Sequence, residues 1–180
     1  MGEPSRSRPV NVICSVLAGR TDWLAAARER LEGAFGPVDL ESEVWAFDHT
    51  DYYEAEMGPA LLRQVYAFRD LAMPDELAGA KRTTNRLEAE LSRALADAPP
   101  RPVNLDVGYV SMDKLVLATT KNHAHRIYVG EGIYAEVTLR WRGGAFVPWE
   151  WTYPDYASDV YRAFFARVRA LYREKLNAAV

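Results

Sequence analysis

Two helix-forming segments, each lying between short apolar segments rich in β-branched residues, constrain the fold of this chain more than any other sequence feature. Thr21 or Asp22 is expected to cap the first helix, which should end at Phe35, before Gly36-Pro37. The second is expected from Pro74-Asp75 to Leu95, before Pro99-Pro100. In both, apolar residues recur every three or four positions, the spacing of a helix that packs one face against a sheet.

Four apolar segments flank these helices and predict β-strands. They cover residues 11–17, 43–47, 62–68 and 103–107. The resulting order of strand, helix, strand, strand, helix, strand is that of the split βαβ or ferredoxin-like unit. We therefore predict an α+β fold in which helices pack against a mainly antiparallel sheet.

After this unit, the sequence predicts a β-hairpin extension and a C-terminal helix. Residues 126–129 and 133–141 alternate polar and apolar side chains around a three-residue loop, Gly130-Glu131-Gly132. A further strand is expected at residues 145–149, and the closing helix follows Pro154. Residues 112–120 are ambiguous, because Ser111 could cap a short helix whereas the β-branched residues suit a strand, and we favour the helix.

Length and composition indicate one globular domain. The chain has 180 residues, of which 49% are hydrophobic and 26% charged, enough to bury a core in one domain. Residues 1–9 lack the apolar stretch of a secretory signal, and we expect a disordered tail followed by a single domain at residues 10–180. The one cysteine, Cys14, lies in an apolar segment and is expected to be buried.

The same totals limit location and partners. No stretch approaches the roughly 20 apolar residues of a membrane span, so we expect a cytoplasmic protein that has no membrane partner. A net charge of −3 provides no overall field that would attract nucleic acid. Sequence motifs for phosphate loops, dinucleotide-binding folds, serine hydrolases and zinc proteases are absent.

Residues 104–140 contain the densest group of chemically active side chains. Asp106, His123 and Glu136 are candidate catalytic acids or bases. The candidate ligand-binding residues are Asn104, Lys121, Arg126, Thr138 and Arg140. Metal and cofactor remain unassigned.

A three-residue hairpin loop would set the register of this segment. Arg126 would then oppose Glu136, and Tyr128 would oppose Tyr134, on a polar face. The apolar face would pair Val129 with Ile133, Ile127 with Ala135 and His125 with Val137. Because His125 falls on the apolar face, we favour His123 as the functional histidine.

Two interpretations of the polar face remain open. Arg126 and Glu136 could form a cross-strand ion pair on a solvated face, worth a few tenths to about 1 kcal/mol. Alternatively, Lys121, His123 and Arg126 could donate hydrogen bonds to an anionic group, with Glu136 or Asp106 as a base or metal ligand. The second interpretation predicts that the protein binds a phosphate-bearing metabolite or a nucleotide.

Two other segments suggest alternatives to this site. The acidic segment 39–56 or the tryptophan-rich loop 149–156 could dock a partner protein, which would make the chain a non-enzymatic adaptor. Asp48-His49-Thr50-Asp51 could hold a divalent cation, but the same pattern caps turns, and we favour a turn.

Three long motifs resemble those of the domain-of-unknown-function family numbered 4416. They are SEVWAFDHTDYYEAEMG at residues 42–58, NLDVGYVSMDKLVLATTKNHAHRIYVGEGIYAEVTL at 104–139 and WTYPDY at 151–156. The similarity extends over about residues 9–176. It implies a small cytoplasmic prokaryotic protein, and it implies no activity, substrate or catalytic residue.

Overall fold

The sheet of this protein is built from antiparallel strand pairs. The computed structural model describes residues 2–48, 50, 52–95 and 98–178, in which nine strands form one sheet accompanied by five α-helices. The strands are β1 (Val10–Ala18), β2 (Val38–Glu41), β3 (Trp45–Phe47), β4 (Leu61–Ala72), β5 (Val103–Val110), β6 (Lys114–Thr119), β7 (Ile127–Gly130), β8 (Ile133–Arg142) and β9 (Ala145–Pro148).

Three long helices and two short ones complete the fold. The long helices are α1 (Thr21–Phe35), α3 (Leu77–Ala94) and α5 (Asp159–Ala178), and the short ones are α2 (Glu54–Met57) and α4 (Pro154–Ala157). A 3-10 turn, Pro74–Glu76, leads into α3. None of the described helices is both long and apolar enough to cross a membrane.

The first half of the chain has the ferredoxin-like connectivity that the sequence predicts. Strands β2, β4, β1 and β5 lie side by side in that order, and α1 and α3 link them across one face. Strands β6, β8 and β7 continue the sheet beyond β5, and β9 pairs with β8. The hairpin therefore extends the ferredoxin-like unit instead of forming a separate domain.

Each face of the sheet carries its own apolar core. On one face, α1 and α3 cover a cluster that includes Val16, Phe68 and Leu105. On the other face, α5 covers a cluster that includes Ile13, Leu139 and Phe165. The central strand β1 is buried along its whole length, including Cys14, as expected.

Our preference for a helix at residues 112–120 is wrong, because this segment contains β6. Ser111 Oγ accepts hydrogen bonds from the N–H groups of Asp113 and Lys114, at 3.3 and 3.2 Å, so it closes the turn between β5 and β6. Residues 115–118 are all buried, which requires cover on both faces. A central strand satisfies that requirement, whereas a short surface helix would expose one side.

Two boundaries in the first half of the chain also differ from expectation. The strand predicted at residues 43–47 is limited to β3, and the preceding strand β2 was not predicted. Both pair with β4, which is longer than the segment 62–68. Helix α1 starts at Thr21, and Arg20 occupies its N-cap but makes no capping hydrogen bond through its side chain, so neither Thr21 nor Asp22 is the cap.

The hairpin loop has two residues, Glu131 and Gly132, instead of three. Both have positive φ angles, 54° and 76°, as in the tight turns that join twisted antiparallel strands. Gly130 pairs with Ile133, so the expected pairing of Val129 with Ile133 is wrong. The predicted pairs of Ile127 with Ala135 and Tyr128 with Tyr134 are confirmed.

Candidate functional site

Strands β5 and β6 diverge after a short stretch of pairing and leave a cleft between them. Within these two strands the paired residues extend from Val110 with Leu115 only to Gly108 with Leu117. At the point of divergence, a Cβ on Gly108 would lie 2.1 Å from the carbonyl oxygen of Val116. Only glycine allows the two backbones to approach so closely there.

Side chains from α3 replace the missing strand pairing of β5. Lys81 Nζ donates a hydrogen bond to the carbonyl oxygen of Leu105 at 2.8 Å. Glu88 Oε1 accepts one from the N–H of Leu105 at 2.6 Å. Both backbone groups of Leu105 are therefore satisfied without β6, and the cleft stays open.

The cleft has a volume of about 650 Å³, within the usual range for small-molecule sites. Its described lining includes five basic residues: Arg63, Lys81, Arg101, Lys121 and Arg126. Four acidic residues accompany them: Glu88, Asp106, Glu136 and Asp155. Aromatic rings add an apolar wall, formed by Phe47, Tyr52, Tyr53, Tyr153 and Tyr156.

Arg63 forms the buried floor of the cleft. Its side chain is 3% exposed and donates to Ser15 Oγ at 3.0 Å and to Asp155 Oδ2 at 3.2 Å. Burial alone would lower the pKa of Arg63, but Tyr156, Asp106 and Asp155 more than offset this, so the pKa is raised. Arg63 therefore remains charged and joins β1, β4 and α4 beneath the cleft.

Asp106 is the carboxylate of the floor that keeps some exposed surface, with 28% of its side chain accessible. Its Oδ2 accepts a hydrogen bond from Asn104 Nδ2 at 2.7 Å and lies 3.4 Å from Arg63 Nη1. Lys81 Nζ lies 3.8 Å from the other oxygen. Asn104 and Asp106 thus share one hydrogen-bond network inside the cleft.

Arg126 and Glu136 face one another, as predicted, but not on a solvated surface. Arg126 Nε donates to Glu136 Oε2 at 2.9 Å, and their side chains are only 4% and 3% exposed. Arg126 also donates to the carbonyl oxygen of Lys121 at 3.0 Å and to the hydroxyl of Tyr153 at 3.1 Å. The pair therefore belongs to the wall of the cleft.

Lys121 and Arg101 are the most accessible cations of the lining. Lys121 is exposed, and its Nζ donates to the hydroxyl of Tyr52 at 3.1 Å. The side chain of Arg101 is 33% exposed and contacts Glu56, Glu88 and Asn104. Among the described residues, the cationic group of Lys121 has fewer partners than that of Arg101.

Five of the eight residues singled out from the sequence line the cleft: Asn104, Asp106, Lys121, Arg126 and Glu136. Thr138 is fully buried behind them and lies 3.3 Å from Glu136 Oε1. Arg140 lies outside the lining, 4.0 Å from the centre of the Trp149 ring. His123 is exposed and also lies outside it.

The histidine that contacts the cleft wall is His125. Its Nε2 lies 3.1 Å from Glu136 Oε2, and its ring stacks on Trp151 at a centroid distance of 5.4 Å. The regular alternation on which we based the choice of His123 ends at Ile127, where β7 begins. Before Ile127 the chain turns, with the N–H of Arg126 bonded to the carbonyl oxygen of His123.

Sequence reasoning missed the contributions of β4 and α3. Lys81 and Glu88 occupy the same helical stripe as Leu77, Thr84 and Leu91, where charged side chains interrupt an apolar pattern. That interruption is a sequence signal for buried charges, which are rarely left without a partner.

The possible cation motif at residues 48–51 cannot be placed, because His49 and Asp51 lie outside the described residues. Elsewhere, the described chain contains no group of three histidine, cysteine or acidic side chains close enough to hold a metal ion.

Comparison with known proteins points to one family. The model of a family described as Domain of unknown function (DUF4416) matches residues 8–172. No curated protein and no solved structure matches the chain.

Proposed function

The chain belongs to the DUF4416 family, whose description names no activity, and we propose that its cleft binds a small anionic ligand, a phosphate-bearing metabolite or nucleotide. The observation that carries this proposal is the charge arrangement of the cleft. Glu136 and Asp155 accept from arginines, Asp106 from Asn104 and Arg63, and Glu88 from the backbone of Leu105. Within the described part of the chain, the ammonium group of Lys121 contacts a single tyrosine, Tyr52, and so retains donors for a ligand.

The small surplus of positive charge favours a ligand with few negative charges. Five basic and four acidic residues line the described cleft, and most of these charges are already paired with one another. A single phosphate, which carries a charge of about −1.5 to −2 at pH 7, would already offset this surplus at Lys121, and a polyphosphate would exceed it several-fold.

Asp106 is the predicted catalytic residue best placed to touch such a ligand. It has exposed surface in the cleft. Glu136 is enclosed by Arg126, His125 and Thr138, so it positions its neighbours. A proton exchanged with the ligand would therefore pass through Asp106.

The adaptor function has weaker support, because the acidic segment is partly neutralised within the chain. Asp39 lies 2.8 Å from Lys175, and Glu41 lies 3.0 Å from Arg28. The tryptophan-rich loop is also engaged: Trp149 and Trp151 stack at 5.0 Å, and Trp151 Nε1 donates to Val137. Both segments therefore make contacts within this protein, which reduces the surface that they could present to a partner.

Replacing Lys121 with alanine tests the proposal. Thermal-shift and calorimetric measurements would compare orthophosphate, sugar phosphates and nucleoside monophosphates as ligands. We expect at least one to raise the melting temperature of the wild type. Lys121→Ala should weaken its binding by about 1–3 kcal/mol, the contribution of a charge-assisted hydrogen bond.

Lys114→Ala is the matched control, since Lys114 is an exposed lysine at the other end of β6 and does not line the cleft. It should leave affinity unchanged, and neither variant should alter the melting temperature without ligand. The proposal is wrong if no compound of the panel stabilises the wild type, or if Lys121→Ala binds as tightly as Lys114→Ala.

A further inference from the structure

We propose that the inner end of the cleft recognises a planar nitrogen heterocycle through Asn85, which makes the ligand a nucleoside monophosphate. This inference rests on the proposed function, because it places the phosphate at Lys121 and the base between α3 and β6.

Asn85 presents an unused amide to the cleft. It lies on α3, is half-buried and belongs to the lining. Its side chain makes no hydrogen bond to any residue in the described part of the chain. Because the amide of Asn85 is open to the cleft, a ligand with a matching donor and acceptor can pair with it directly.

The position of Asn85 is set by its neighbours on the helix. Lys81 lies four residues before it and Glu88 three residues after it, so all three lie on one side of α3. Lys81 and Glu88 are both hydrogen-bonded to the backbone of Leu105. The helix is therefore held to β5 on both sides of Asn85, and the free amide is preorganised for a ligand.

The opposite rim of the cleft supplies neutral backbone groups. The N–H of Ser111 bonds to the carbonyl oxygen of Lys114, which shows that even-numbered residues of β6 turn their backbone towards β5. By the same alternation Ala118, the last even-numbered residue of β6, turns its N–H and C=O groups into the cleft, which it lines.

Together these groups match the edge of a base. A carboxamide carries both a hydrogen-bond donor and a hydrogen-bond acceptor, and so does the backbone at the edge of a strand. A purine or pyrimidine carries complementary donors and acceptors in one plane. Tyr53, which lines the cleft and contacts the ring of Phe47 edge to face at 6.0 Å, provides an aromatic ring for its face.

Calorimetric titration with AMP, GMP, CMP, UMP and ribose 5-phosphate separates the base from the phosphate. We expect the wild type to bind one nucleotide at least about tenfold more tightly than ribose 5-phosphate. Ribose 5-phosphate has no base to form hydrogen bonds with the Asn85 amide. Asn85→Ala should abolish most of that preference, and Asn85→Asp should change which base is preferred. Lys121→Ala should weaken all five ligands while the preference among bases remains.

Thr83→Ala is the control, since Thr83 is on α3 but outside the lining of the cleft, and it should bind as the wild type does. The inference is overturned if nucleotides bind no tighter than ribose 5-phosphate, or if Asn85→Ala, folded as judged by its melting temperature, keeps the base preference. In those cases the proposed function survives. If none of the five compounds binds, this inference fails, and the proposed function fails with it only if orthophosphate and the other sugar phosphates also do not bind.

Discussion

Replacing Arg126 with methionine should destabilise the protein strongly, because it would leave Glu136 buried with a negative charge. The side chains of Arg126 and Glu136 are 4% and 3% exposed. Methionine fills a similar volume but cannot donate to Glu136, to the carbonyl of Lys121 or to the hydroxyl of Tyr153. Losing one partner of a buried ion pair costs about 3–5 kcal/mol.

The remaining contacts of Glu136 place the expected loss at the lower end of that range. His125 Nε2 and Thr138 Oγ1 stay within 3.1 and 3.3 Å of its carboxylate oxygens. We therefore expect Arg126→Met to lower the free energy of unfolding by about 3 kcal/mol. In the double variant Arg126→Met/Glu136→Gln, the uncompensated charge is removed, and most of the loss should be recovered.

Urea unfolding followed by far-ultraviolet circular dichroism measures these differences at neutral pH. Arg82→Met serves as the control, because Arg82 pairs with Glu131 on the surface, where the two side chains are 64% and 52% exposed. Its unfolding midpoint should match that of the wild type. A loss below about 1 kcal/mol for Arg126→Met would place the pair among solvated surface pairs and refute the reasoning.

Two further predictions concern buried titratable groups. Burial raises the pKa of the Cys14 thiol well above its ordinary value, so Cys14 should react slowly with thiol reagents until urea unfolds the chain; rapid, stoichiometric labelling of the folded protein would contradict this. Burial also raises the pKa of the Glu88 carboxyl above its ordinary value of 4.5. The free energy of unfolding should therefore fall as the pH rises from 4.5 through the folded-state pKa, because Glu88 ionises more readily in the unfolded chain. Glu88→Gln should not lose stability in this way. If the melting temperatures of the wild type and Glu88→Gln change in parallel between about pH 4 and pH 7, the prediction is wrong.

The ferredoxin-like order could be predicted from the sequence because it depends on local signals. Periodic apolar residues and the Gly36-Pro37 stop mark the helices, and alternation sets the pairing of Ile127 with Ala135. Residues 115–118 were harder to interpret, since a short apolar run suits a buried strand or a helix equally until its neighbours are known.

The cleft itself could be predicted only in part. Five of its residues lie within the segment 104–140 and share one polar pattern. Arg63 and Asn85 come from β4 and α3, and they reach the cleft only because β5 and β6 diverge at Gly108. That divergence depends on contacts between segments far apart in the chain, which no local pattern encodes.

The divergence also leaves the sheet joined by few strand pairs at its middle. Among the described residues, three pairs between β5 and β6 join a half that holds β1 and β4 to a half that holds β8. Helix α5 packs across both halves on one face, and α3 contacts β5, β6 and β8 on the other, so helices hold the halves together where strand pairing ends. A ligand that contacts both Lys121 and Asn85 would add one more link across the cleft. The amide hydrogen of Ala118 should then exchange more slowly in the complex than in the free protein.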